Sequence, residues 1–101
     1  MIYYLISEAD VPIKELVKDV EWQKLRQSLV GTWKVTPEEN CKKLRKYLGN
    51  DISKADLKRL RIVMNYLTGS GFRYGAIKHE CISELRKEIG SEIKKRHSQS
   101  K

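Results

Sequence analysis

Cys41, His79, Glu80 and Cys81 are the side chains of this chain best suited to bond-making chemistry, and their spacing argues against a catalytic set. His79, Glu80 and Cys81 are consecutive, so on a helix they point in three directions and form no nucleophile and base pair. Zinc needs four ligands; two cysteines 40 residues apart with His79 and His97 make a poor set, and no metal is expected. Both cysteines fall where the helical pattern calls for an apolar residue and lack CxxC spacing, so buried free thiols are expected rather than a disulfide. There is no GxxxxGK[ST] loop and no GxGxxG turn, and Glu38 and Glu39 are explained as acids at a helix start. The expectation is a chain that is not an enzyme, with no cofactor and no small-molecule substrate.

What stands out instead is charge. Residues 1–40 hold five Lys/Arg against seven Asp/Glu, a net of −2, whereas residues 41–101 hold sixteen against six, a net of +10. Such a surplus costs self-repulsion and adds no packing, so it points to a polyanionic partner, nucleic acid first. The opening Met1-Ile-Tyr-Tyr-Leu-Ile6 is six apolar residues with no basic region before them, expected to be too short for a signal peptide or a membrane span. A cytoplasmic, non-membrane protein is the expectation.

At 101 residues, with 40% hydrophobic and 34% charged residues, the chain bounds one folded domain. Ile2, Leu5, Ile6 and Ala9 follow helical spacing, while Ile2-Tyr3-Tyr4 suits a short strand equally. Ile13, Leu16, Val17 and Val20 share a helical face, and Trp22, Leu25, Leu29 and Trp33 continue it with an offset that predicts a bend near Asp19. Thr36-Pro-Glu-Glu39 predicts a helix start, followed by Cys41, Leu44, Tyr47 and Leu48 on one face and a stop at Gly49. Ser53-Lys-Ala-Asp56 predicts another cap before Leu57, Leu60, Met64 and Leu67; Gly69-Ser-Gly71 ends that helix. Ile77, Cys81, Leu85, Ile89 and Ile93 then repeat every four residues. The fold class expected is all-α: a small bundle of four to five helices over residues 1–96, with 97–101 a disordered tail. Within it, 1–40 form an acidic front that offers a dimer or partner surface, and 41–96 form the basic part.

Two of the expected helices, about 53–68 and 72–95, with a glycine turn between them have the outline of a helix-turn-helix. If the second helix entered a major groove, Arg73, Tyr74, Lys78 and His79 would face it, with Arg73 the residue suited to a guanine edge and Lys78 to a phosphate. Lys54, Lys58, Arg59 and Arg61 on the preceding helix, and Lys42, Lys43, Arg45 and Lys46 on the one before, would follow the phosphate backbone. Tyr66, Phe72 and Tyr74 around the turn offer either stacking on unpaired bases or core packing, the latter favoured for Tyr66 and Phe72. Trp22 and Trp33 belong to a core or a partner groove.

The stretch Arg61-Ile-Val-Met-Asn-Tyr-Leu-Thr-Gly-Ser-Gly-Phe-Arg-Tyr-Gly-Ala-Ile-Lys78 resembles one three-helix repeat unit of the RecX family of recombinase modulators, which runs from apolar residues and Leu to a basic pair, Gly-Phe and an isoleucine. Ser70 departs from the Arg usual there, and the chain is too short for the stacked repeats of that family. The resemblance implies a recombination-related alternative. The expected function is therefore a small nucleic-acid-binding protein, with DNA before RNA, acting as a helix-turn-helix regulator that pairs with a second copy through 1–40. The alternative is a non-catalytic protein that docks on an anionic protein surface or in a nucleoprotein complex, as an inhibitor, a small subunit or a recombinase modulator.

Overall fold

The computed structural model describes residues 11–69, 72 and 79–99, with side chains through 97, and every regular element among them is helical. The order is α1 (Ile13–Leu16), α2 (Val20–Leu29), α3 (Pro37–Tyr47), a 3₁₀ turn (Ile52–Lys54), α4 (Leu57–Leu67) and α5 (Glu80–Gln99). The all-α expectation holds. No helix among the described residues is long and apolar enough to cross a membrane. The opening segment, whether helix or strand, lies outside the described residues.

Local chemistry sets each boundary. The bend anticipated near Asp19 is a break: α1 stops at Leu16, and Asp19 starts α2 by accepting a hydrogen bond from the Glu21 backbone N–H at 3.3 Å. Pro37 occupies the first position of α3, where its missing N–H costs nothing. Thr36 precedes it as expected, yet its hydroxyl donates to the Thr32 carbonyl at 3.3 Å and does not cap. At the other end, Asn50 N–H reaches Arg45 O at 2.8 Å and Gly49 N–H reaches Lys46 O at 3.0 Å, the paired bonds of a Schellman stop. Gly49 takes φ 89° there, a conformation that glycine adopts without a Cβ clash.

Three expected boundaries need correction. Ser53 does not open α4; it belongs to the 3₁₀ turn, where Asp51 accepts its N–H at 3.0 Å, and Asp56 caps α4 through the Lys58 N–H at 3.4 Å. The last helix does not run unbroken from 72, because His79 is non-helical and α5 begins at Glu80. The His79 imidazole Nδ1 accepts the Cys81 N–H at 3.3 Å, which satisfies one of the donors that a helix start leaves over. Residues 70, 71 and 73–78 lie outside the described residues, so the expected turn is represented there by Gly69 and Phe72 alone. At the far end α5 continues through Gln99, beyond the expected limit of 96, with Arg96 and Glu92 paired at 2.9 Å along its last turns.

The core gathers around α4, which packs on α1 and on α5, while α3 also packs on α5. Leu60, Ile62, Val63 and Leu67 are buried, wider than the single expected stripe, and Met64 is only half-buried. On α5 the buried row is Ile82, Leu85 and Ile89, while Cys81 and Ile93 are half-buried. A spacing of three and four replaces the expected run of fours, because a helix turns through 3.6 residues and a strict four-residue row drifts off the core. Trp22, Trp33, Tyr66 and Phe72 form an aromatic cluster: Trp33 meets Phe72 edge-on at 5.1 Å between centroids, and Tyr66 lies 5.3 Å from Trp22 and 5.4 Å from Phe72. Trp33 Nε1 donates to the Tyr66 hydroxyl at 2.8 Å, so the indole N–H is not buried unpaired.

The cysteines also depart from expectation. Cys41 of α3 and Cys81 of α5 are disulfide-bonded, with Cα atoms 6.4 Å apart, and neither is a free thiol. Forty residues of sequence say nothing about this distance; it is the packing of α3 on α5 that creates it.

The revised α5 register is measurable. Ile82→Ala is expected to lower stability by about 3 kcal/mol in urea unfolding and Ile93→Ala by roughly 1 kcal/mol, because only the first leaves a cavity that cannot collapse toward water. Equal losses at the two sites would restore the four-residue row.

Candidate nucleic-acid interface

The twelve residues expected to contact nucleic acid divide into three sets. Arg73, Tyr74 and Lys78 lie outside the described residues. Lys42, Lys43 and Lys46 stand exposed on α3, on the side away from buried Cys41, Leu44 and Tyr47, and Lys58 stands exposed at the start of α4. No ion pair among the described residues engages any of these four ammonium groups. Lys43 and Lys46 line an open cleft of ≈ 290 Å³ with Arg59, Tyr47, Glu21 and Leu25, where α2, α3 and α4 converge.

The third set already has partners. Arg45 pairs with Glu88 of α5, and Lys54 lies 4.0 Å from Asp51. Arg61 donates to the Val11 carbonyl at 2.6 Å and so anchors the approach to α1. Arg59 donates to the Tyr47 carbonyl at 2.6 Å and to Glu21 Oε2 at 2.7 Å, with its guanidinium 4.5 Å from the centre of the Tyr47 ring. These contacts make Arg59 a tie between three helices, which a guanidinium performs better than an ammonium because its donors form a planar fork and its face stacks. His79 caps α5, and its Nε2 lies 4.0 Å from Glu38.

Arg96, not among the twelve expected residues, does similar work by donating to the carbonyls of Ile52 and Ser53 at 3.4 and 3.1 Å. The i,i+4 spacing of Glu92 and Arg96 was the available signal, but it names a helical pair and not the reach to the 3₁₀ turn. Asp51, exposed, is held below its ordinary pKa, chiefly by the hydrogen bond from the Ser53 hydroxyl.

Tyr47 completes the wall of the cleft. Its hydroxyl donates to Asp19 Oδ2 at 2.8 Å, so the Asp19 carboxylate caps α2 and holds the end of α3 at once. Burial pushes the Tyr47 phenol well above its ordinary value of 10.0, and the hydrogen bond to Asp19 adds to the rise. Burial also raises Tyr66, against the Trp33 hydrogen bond that lowers it. Of the three aromatics offered for stacking on bases, Tyr66 and Phe72 are committed to the cluster with the two tryptophans, and Tyr74 lies outside the described residues.

The pH consequence follows from the direction of the Tyr47 shift. A phenol whose folded value lies above the unfolded one contributes stability that is fully present below pH about 10 and is lost as pH rises further toward the folded value. Tyr47→Phe is expected to cost about 1.5 kcal/mol near pH ~7 through the missing hydrogen bond to a charged acceptor. Above pH ~10 the deficit should shrink, because the phenylalanine variant has no proton to lose. Urea unfolding of both proteins across that range checks this, and a gap that stays constant would refute it.

No protein-family model, curated protein or solved structure matches this chain, so the functional reading rests on the residues and geometry described above.

Proposed function

We propose that this chain is a non-catalytic, nucleic-acid-binding protein whose α3 lysines, with Lys58 of α4, grip the phosphate backbone of duplex DNA. The observation that carries this reading is the exposed set Lys42, Lys43, Lys46 and Lys58, without ion pairs among the described residues, on a chain of net charge +8. Mobile ammonium groups without carboxylate partners suit phosphates, which they hold as point charges with release of condensed counterions. Duplex is favoured over single strand because stacking on unpaired bases needs exposed rings, and two of the three rings offered for it, Tyr66 and Phe72, are occupied in the aromatic cluster. Arg45, Arg59 and Arg61 are assigned to holding the helices that present the lysines.

In the finer form of the proposal, Arg73 reads a base edge from the segment before α5, and two copies pair through the front of the chain. Val20, Val30 and Val35, exposed large apolar side chains in that front, support the pairing. A pair of copies places two such segments on successive half-sites and gives a small regulator enough contacts for selectivity. The competing reading is a protein that docks on an acidic protein surface, a recombinase modulator among them; the same lysines would serve it.

A binding titration against random duplex DNA, single-stranded DNA and RNA at two salt concentrations separates these. Duplex DNA is expected to bind tightest, and replacing Lys42, Lys43, Lys46 and Lys58 together by Ala should reduce the slope of log K against log salt by about 3 to 4. Absence of binding to all three at low salt would remove the nucleic-acid reading and leave the protein-docking one. In parallel, Arg73→Ala is expected to flatten preference among duplex sequences while leaving the salt slope within about 1 of the original. An unchanged preference would remove base reading by Arg73.

A further inference from the structure

The surroundings of the disulfide are those of a reactive sulfur rather than an inert staple. Cys41 is 3% exposed, whereas Cys81 is half-buried, so one sulfur of the bond is more open to an incoming thiol. The His79 Nδ1 lies 3.1 Å from Cys81 Sγ, and the Pro37 carbonyl oxygen lies 3.6 Å from it. Because Nδ1 accepts the Cys81 N–H at 3.3 Å, it is the ring nitrogen without a proton, and the proton sits on Nε2, which faces Glu38 at 4.0 Å. Cys81 is the second residue of α5, so the start of that helix favours a negative charge on the sulfur, against the opposing dipole of the Pro37 carbonyl.

We propose that Cys41 and Cys81 form a redox-active pair that exchanges with small-molecule thiols and disulfides of the glutathione type. Cys81 is the exchanging sulfur, His79 its proton acceptor and Cys41 the resolving thiol. In the reduced protein the Cys81 thiol passes its proton to His79 Nδ1, whose lone pair gives up the Cys81 N–H to take it, and Glu38 faces the resulting imidazolium. The Cys81 thiolate then attacks one sulfur of the small disulfide; a Cys81 mixed disulfide forms, the small S–S bond breaks, and the departing thiolate takes up the imidazolium proton. Cys41, its proton transferred by the same imidazole to the second departing thiolate, attacks Cys81 Sγ and closes the protein disulfide. Two electrons pass from the two protein thiols to the small disulfide, which leaves as two thiols. The reverse path starts with a small thiolate attacking the more open Cys81 sulfur and expelling Cys41. Reduction releases the covalent tie between α5 and α3, the helix that carries Lys42, Lys43 and Lys46.

The test uses the full chain in glutathione buffers of varied oxidised-to-reduced ratio, quenched in acid, alkylated and mapped by peptide mass. Glutathione is expected on Cys81 and not on Cys41 in the intermediate, with the native protein exchanging without denaturant. His79→Ala should slow closure by about tenfold, the gain left when a larger thiolate fraction is partly offset by lower nucleophilicity. His79→Asn, able to accept the Cys81 N–H but not to carry the proton, should be as slow as the alanine variant; thermal melts of the oxidised variants establish that both are folded. Glutathione found on Cys41, exchange seen only in denaturant, or folded His79 variants that close at the original rate would each overturn the proposal.

Discussion

The constraint on which the rest of this fold depends is the burial of α4. Leu60, Ile62, Val63 and Leu67 leave that helix too little polar face to lie on a surface, so other elements must cover it. α1 and α5 pack against it directly. Its guanidiniums at 59 and 61 can escape burial only at the rim, where they meet the backbone carbonyls of Tyr47 and Val11. Two basic residues thus become the means by which a buried helix fastens its neighbours.

This explains how the positive charge divides. The arginines at 45, 59, 61 and 96 all reach across to another element, each ending on a carboxylate or a carbonyl. The lysines at 42, 43, 46 and 58 reach outward. The division follows from the two head groups: a guanidinium is weakly hydrated and makes several fixed bonds at once, whereas an ammonium keeps its water until a stronger anion displaces it. A count of basic residues treats both alike, and so overstated the surface that residues 41–96 present to a partner.

Helix faces were legible in the sequence wherever one side meets water. Cys41, Leu44, Tyr47 and Leu48 on α3 are all buried, and the break at Asp19, the Pro37 start and the Gly49 stop fall where turn and cap chemistry put them. What escaped is what depends on three dimensions. Ile62, Val63 and Ile82 are buried because a second neighbour covers them, which no one-stripe pattern reveals. His79 is a cap, a role that arises when an imidazole finds the N–H two residues on. Of the candidate interface, the α3 lysines were readable from their placement opposite an apolar face, whereas the engagement of Arg45, Arg59 and Arg61 was not, since each partner lies at least 12 residues away.

The cross-link has a topological corollary. It closes the chain from 41 to 81 into a covalent ring, with the last turns of α3, the 3₁₀ turn and all of α4 inside it. The two leading helices lie outside and are held to that hoop by packing and polar contacts, Leu16, Trp22, Leu29, Tyr47–Asp19, Arg59–Glu21 and Arg61–Val11 among them, with no covalent clasp among the described residues. The molecule is therefore expected to open in a set order, with its front arm peeling away from an intact hoop before the hoop itself slackens.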